Sequence, residues 1–324
     1  MPARRLRYRA AVLTKAGTTS VEQTLARDPA ADEVRVRLEG SGICASNLPV
    51  WEGRDWFRYP LEPGAPGHEG WGIVDAIGDG VDSVAVGDRV ALMSHHAYAE
   101  YDIAPAAAVR QLPHELDGKP FPGEPLGCVM NIFCRAGIRS GHTVAVVGAG
   151  FLGVLLTRLA SEAGARVLVT SRRPYALELA REAGAMATCS ADSYEQARPE
   201  VLRLTEGRGF DRVIEAAGLQ VTLDLATQLT RERGRLIIAG FHQDGPRRVD
   251  MQLWNWRGLD VINAHERDPA RYAEGIGRAA AAVVDGRLDP YPLFTHEVAL
   301  DELDTAFELM QRRPPGFMKA LVRV

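Results

Sequence analysis

Three short stretches carry side chains able to hold a metal ion. They are Gly42–Asn47 (GICASN) with Cys44, Gly67–Gly72 (GHEGWG) with His68 and Glu69, and Gly123–Cys128 (GEPLGC) with Glu124 and Cys128. Thiolate, imidazole and carboxylate are the ligands zinc takes, and a catalytic zinc uses three or four while leaving a place for substrate. Each stretch also has an ordinary reading. A lone cysteine is usually a small core hydrophobe, Glu-Pro is a common loop entry, and His-Glu between glycines suits a turn. A fourth stretch, Gly148-Ala149-Gly150-Phe151-Leu152-Gly153, fits GxGxxG between a strand and a helix. There the first glycine permits a tight turn and the second lets the backbone approach a pyrophosphate. The third lets helix and strand pack closely, and the helix N-terminus favours phosphate charge. The following strand ends in Thr170-Ser171-Arg172-Arg173-Pro174. It offers no acid for a ribose 2′-hydroxyl but two guanidinium groups for a 2′-phosphate, so NADP(H) is favoured over NAD(H).

The elements around these stretches fall into two patterns. From Thr143 onward, short apolar runs alternate with helical ones. Strands are predicted at Thr143–Val147, Arg166–Thr170, Ala187–Ala191, Asp211–Glu215, Arg235–Ala239 and Leu259–Asn263. Helices are predicted at Val154–Ala163, Ala176–Ala183 and Leu223–Leu229. Strands apolar on both faces and alternating with helices indicate a doubly wound parallel sheet, an α/β Rossmann domain. Residues 1 to about 120 are rich in glycine and proline, with short strand-like pieces such as Glu33–Leu38 and Asp88–Leu92, and read as an irregular, mostly β domain. The tail is helical over Ala273–Val284 and strand-like over Lys319–Val324. If that last strand joins the N-terminal sheet, the dinucleotide domain is inserted into the other, with boundaries at 1–122 and 264–324 against 123–263.

The bulk properties bound the class. A chain of 324 residues suits two domains, and 46% hydrophobic with 25% charged residues is ordinary for a soluble globular protein. A net charge of −4 argues against nucleic-acid or anionic-membrane partners. The basic N-terminus carries too short an apolar run for a signal peptide, and no stretch is long enough to span a bilayer. Cys44, Cys128, Cys134 and Cys189 show no CxxC spacing and read as thiols in a reducing compartment, which points to the cytoplasm.

Taken in order, GICASN, GHEGWG, Gly87-Asp88-Arg89-Val90, Ala99-Glu100-Tyr101, GEPLGC, GAGFLG and Phe317-Met318-Lys319-Ala320 resemble the zinc-dependent alcohol and polyol dehydrogenases of the medium-chain dehydrogenase/reductase superfamily. The resemblance runs from Ala10 to the end of the chain. It implies a GroES-like catalytic domain and one catalytic zinc per chain, held by Cys44, His68 and Glu124, with Cys128 a rival for the third place. It further implies Glu69 as an exchangeable ligand, Ser46 as the hydroxyl that carries a proton from the substrate, and Lys319 near the cofactor pyrophosphate. The partners implied are a small alcohol or carbonyl compound and further copies of the chain, as a homodimer or homotetramer.

Three departures stand out. Asn47 replaces an aspartate that orients the ligand histidine, and Pro49 stands where many relatives carry the histidine that ends the proton relay. The four-cysteine lobe of a structural zinc is missing, leaving only Met93–Ala97 between its flanking motifs. The aromatics of Trp51–Pro60 (WEGRDWFRYP) are candidates to wall a pocket for a bulky or ring-containing substrate, or to pack in the core. His95-His96 and His265-Glu266-Arg267 are candidates for polar contacts. Two other functions remain open: a zinc-independent NADPH reductase of activated C=C bonds, and an NADP(H)-binding protein without catalysis.

Overall fold

The computed structural model describes residues 6–324. The chain forms two compact units. One holds the chain up to Gly127 together with Arg267–Val284 and Tyr291–Val324, and the other holds Cys128–Glu266 with Asp285–Pro290.

In the first unit a seven-stranded sheet runs in the order Phe294–Ala299, Lys319–Arg323, Glu33–Gly42, Gly70–Ile77, Arg89–Leu92, Val109–Gln111, with Tyr101–Pro105 also paired to Glu33–Gly42. The EVRVRL alternation explains its centre. Val34, Val36 and Leu38 point inward while Arg35 and Arg37 point out, and Val74, Val90 and Leu92 complete the packing. The C-terminal strand lies antiparallel beside Glu33–Gly42, with Leu321 opposite Gly42, so the Rossmann domain is an insertion in a mostly β, GroES-like domain. A separate hairpin, Arg7–Lys15 with Thr18–Leu25, precedes the sheet.

A second core in this unit absorbs most of the aromatics of WEGRDWFRYP. Trp51 stacks on Phe307 with centroids 5.7 Å apart, and its indole N–H donates to Asp304 Oδ1 at 2.9 Å. Phe57 and Tyr59 pack against the same cluster, and the Tyr59 hydroxyl donates to the Val50 carbonyl. Trp56 alone stays outside, 59% exposed. The expected aromatic wall is therefore largely core packing, because the helix Leu303–Arg312 presents Phe307 to it.

The second unit carries six parallel strands in the spatial order Ala187–Cys189, Arg166–Thr170, Thr143–Val147, Phe210–Glu215, Thr230–Ile238, Asp260–Asn263. That is the 3-2-1-4-5-6 order of a dinucleotide-binding fold. Thr143–Val147 is buried along its whole length, as its run of apolar residues requires of a central parallel strand. One expectation changes in physical character. GEPLGC is not a loop entry but the first turn of the helix Gly123–Ala136. Proline is tolerated there because the first-turn N–H groups have no partner inside the helix.

Trp51→Ala removes a buried, stacked indole and should cost about 3–5 kcal/mol. The expected readout is a lower melting temperature; an unchanged melt would mean that Trp51 does not hold this core.

Candidate active site

Cys44 closes the loop after Glu33–Gly42, and His68 and Glu69 directly precede Gly70–Ile77, the neighbouring strand in the sheet. Because Ser41 pairs with Gly70, register alone brings the two motifs together. One ligand atom each from Cys44, His68 and Glu69 lie within 4.8 Å of one another. The Ser46 hydroxyl donates to Cys44 Sγ at 3.1 Å.

His68 is oriented from behind. Its Nδ1 lies 3.0 Å from the Pro66 carbonyl, the position of a donated N–H, which leaves Nε2 for the cluster. Asn47 Nδ2 donates to the same carbonyl at 3.2 Å, and the buried Tyr98 hydroxyl donates to Asn47 Oδ1 at 2.7 Å. Burial, with the nearby Glu69 and Cys44 charges, raises the Tyr98 phenol well above its ordinary value, so it stays a donor. A backbone carbonyl thus takes the place that an acid at position 47 would have filled.

Glu69 is almost wholly enclosed. Lys319 Nζ lies 2.5 Å from its Oε2, and the two side chains are 5% and 1% exposed. Neither carboxylate oxygen has a well-directed hydrogen bond, so charge holds this contact. Lys319 Nζ also donates to the Ile43 carbonyl at 2.9 Å. Lys319, expected near a cofactor pyrophosphate, thus lies in contact with Glu69. Glu124, in the first turn of its helix, is not among the three clustered ligands, yet its charge acts on His68. Cys128, one helical turn further on, is half-buried and also outside the three. A thiolate, an imidazole and a buried carboxylate short of donors fit a zinc ion.

In the other unit, Gly148 sits at φ +108° with Ala217 pressed against it. A Cβ on Gly153 would stand 2.0 Å from the Gly148 carbonyl oxygen, so strand and helix meet there without a side chain between them. A Cβ on Gly150 would point into open space, and no side chain caps the helix Phe151–Glu162 that follows. The open loop and free helix N-terminus fit a pyrophosphate. Ser171 accepts from the Arg173 N–H at 3.2 Å, Arg173 caps the helix Pro174–Glu182, and Arg172 is exposed.

Several supporting residues lay outside the sequence reading. Tyr98 carries no motif, and Pro66 acts through its backbone. Glu215, at the end of its strand, takes the N–H groups of Ala217 and Gly218 at 2.9 and 2.8 Å, and His242 at 2.9 Å. A buried acid ending an apolar strand was the available signal. His96 faces Glu62 at 2.9 Å, and His265 lies beside the Gly240 carbonyl; both are structural contacts.

Comparison with known proteins places this geometry. Residues 30–114 match the alcohol dehydrogenase GroES-like domain, and residues 152–281 the zinc-binding dehydrogenase domain. The chain belongs to the medium-chain dehydrogenase/reductase superfamily, among its alcohol and polyol dehydrogenases. It is 26% identical to 2-dehydro-3-deoxy-L-galactonate 5-dehydrogenase of Pseudoalteromonas atlantica, over 91% of this chain and 92% of that one. It is also 26% identical to sorbitol dehydrogenase of Halalkalibacterium halodurans, over 94% and 96%. The NADP-bound structure of a Sinorhizobium meliloti protein assigned as a zinc-binding dehydrogenase superposes with a TM-score of 0.82 at 26% identity, covering 99% and 100% of the two chains. Among the described residues no helix is long and apolar enough to cross a membrane.

The cluster makes a pH dependence testable. Burial alone would lower the His68 imidazole, but Cys44, by charge and hydrogen bond, with Glu124 and Glu69, pushes it up to about 10. A folded-state value above the ordinary 6.5 stabilises the fold fully below pH 6.5, and that contribution is lost as pH rises toward 10. Chelator-treated protein should therefore melt at progressively lower temperature between pH 6.5 and 10, with Cys44→Ala flattening the trend. A flat wild-type profile would contradict the assignment.

Proposed function

We propose that the chain is a zinc-dependent oxidoreductase that transfers a hydride between NADP(H) and an alcohol/carbonyl pair. The observation that carries this reading is the convergence of Cys44, His68 and Glu69 in one unit of a dehydrogenase fold. Cys44 and His68 would hold the zinc, with Glu69 or Glu124 completing the set. The Gly148–Gly153 loop would hold the pyrophosphate, and Ser171, Arg172 and Arg173 the 2′-phosphate. The chemistry supplied from outside the chain, when bound, is Lewis-acid polarisation of the substrate oxygen by zinc and hydride exchange at the nicotinamide.

The chain's own groups do the rest. The Pro66 carbonyl fixes the His68 tautomer, and Asn47 and Tyr98 fix that carbonyl's surroundings. Ser46, hydrogen-bonded to Cys44 Sγ, is the hydroxyl placed to pass the substrate proton outward. With Pro49 buried where a relay histidine would stand, the onward route would run through solvent or cofactor hydroxyls. The absence of CxxC spacing among the four cysteines supports a cytoplasmic setting. The outer edge of Asp260–Asn263 carries no neighbouring strand among the described residues, which supports assembly with further copies there.

Elemental mass spectrometry on purified wild type should find about one zinc per chain, lost in Cys44→Ala. A folded, NADPH-binding wild type that takes up no zinc after repletion would sink the reading and direct attention to activated alkenes. In steady-state kinetics, Arg172→Ala should lower the preference for NADPH over NADH by about 10-fold or more, the worth of a charge-assisted contact. An unchanged ratio would remove Arg172 from 2′-phosphate recognition.

A further inference from the structure

One carboxylate in the site has two claimants. Glu69 belongs to the cluster of three metal-ligand side chains, and the same carboxylate forms the buried ion pair with Lys319. The pair is built in rather than incidental. A Cβ on Gly42 would stand 1.9 Å from Glu69 Oε2 and 3.1 Å from Lys319 Cε, so the pair occupies space that exists only because residue 42 has no side chain. The Ile43 carbonyl anchors the ammonium from the Cys44 side, and strand pairing of Leu321 with Gly42 sets its height.

We propose that Lys319 is a positioning residue that determines whether Glu69 serves as a metal ligand. The proposal rests on the zinc reading of the site, with Cys44 and His68 as ligands and Glu69 beside them. With the ammonium in place, Glu69 has a partner of opposite charge and is held against Gly42. Without it, a carboxylate enclosed in protein loses the ammonium in direct contact with it, and a weakly compensated buried charge is strongly unfavourable. Glu69 then turns to the metal, which gains a ligand and loses an open position.

Cobalt(II) in place of zinc reads this directly, because its visible absorption reports ligand number and type. Wild type, Lys319→Met, Lys319→Arg and the double variant Lys319→Met/Glu69→Gln would each be loaded with cobalt. Their spectra and their cobalt retention against a chelator would then be measured. Lys319→Met should show a changed spectrum and retain cobalt about 10-fold more tightly, the size of effect expected when metal-site groups change. Lys319→Arg keeps the charge and should keep the wild-type spectrum, and so should the double variant, in which position 69 has no carboxylate to recruit.

A Lys319→Met spectrum identical to wild type, with one cobalt per chain, would overturn the proposal and leave the zinc reading standing. A double variant that differs from wild type would also overturn it, because Glu69 would then be a ligand despite Lys319; that comparison holds even if Lys319→Met alone does not fold. A folded wild type that takes up neither zinc nor cobalt would remove the zinc reading, and this inference with it.

Discussion

The ion pair between Glu69 and Lys319 is the interaction on which the site depends. A carboxylate 1% exposed must find a positive partner inside the protein, and this one finds it on the last strand of the chain. That requirement ties the C-terminus to the N-terminal sheet more specifically than apolar packing would. Leu321 must lie opposite Gly42, and Gly70 opposite Ser41, for the two side chains to meet. The second of these registers also brings Cys44 beside His68. The sheet, the glycine at position 42 and the late return of the chain are parts of one geometric condition.

The dinucleotide unit meets a different constraint, set by its backbone. Its central strands are buried on both faces, so their hydrogen bonds are internal and their ends are the places where polar groups gather. Gly148 and Gly153 allow loop and helix to close on each other, and the open Gly150 leaves the helix N-terminus approachable. At the end of the next strand inward, Glu215 ties its own loop down through two backbone N–H groups and His242.

What could be read from sequence follows from the same physics. TVAVV and RVLVT were legible as strands because double burial demands continuous apolar runs, and GAGFLG because its glycines answer steric needs fixed by local geometry. Cys44 and His68 were legible by residue type. Which carboxylate lies beside them was not, since Glu69 and Glu124 differ in tertiary placement rather than in type, and strand register brings Glu69 within 4.8 Å of the other two. Lys319 was placed by its position near the C-terminus, but its direction depends on pairing with a strand from the other end of the chain. The aromatics of WEGRDWFRYP were read as pocket or core with equal ease, because a stacked indole and a pocket wall have the same composition.

Asn47 shows how a departure from the family pattern can be accommodated. Cys44, Glu69 and Glu124 already bring negative charge to bear on His68. An aspartate behind the imidazole would add more, in a region where burial, with the anionic neighbours, already keeps Tyr98 protonated. A neutral amide avoids that repulsion, but cannot accept the imidazole N–H while its own N–H group faces the same carbonyl. The Pro66 carbonyl accepts instead, steadied by Asn47, which is itself held by the Tyr98 hydroxyl. The histidine keeps its orientation without a charged partner behind it, so as a metal ligand it would be less basic than one backed by a carboxylate. The site thus lowers its anionic charge twice, with an amide at position 47 and an ammonium at position 319. With zinc bound as proposed, both changes would leave more of its charge to act on a substrate oxygen.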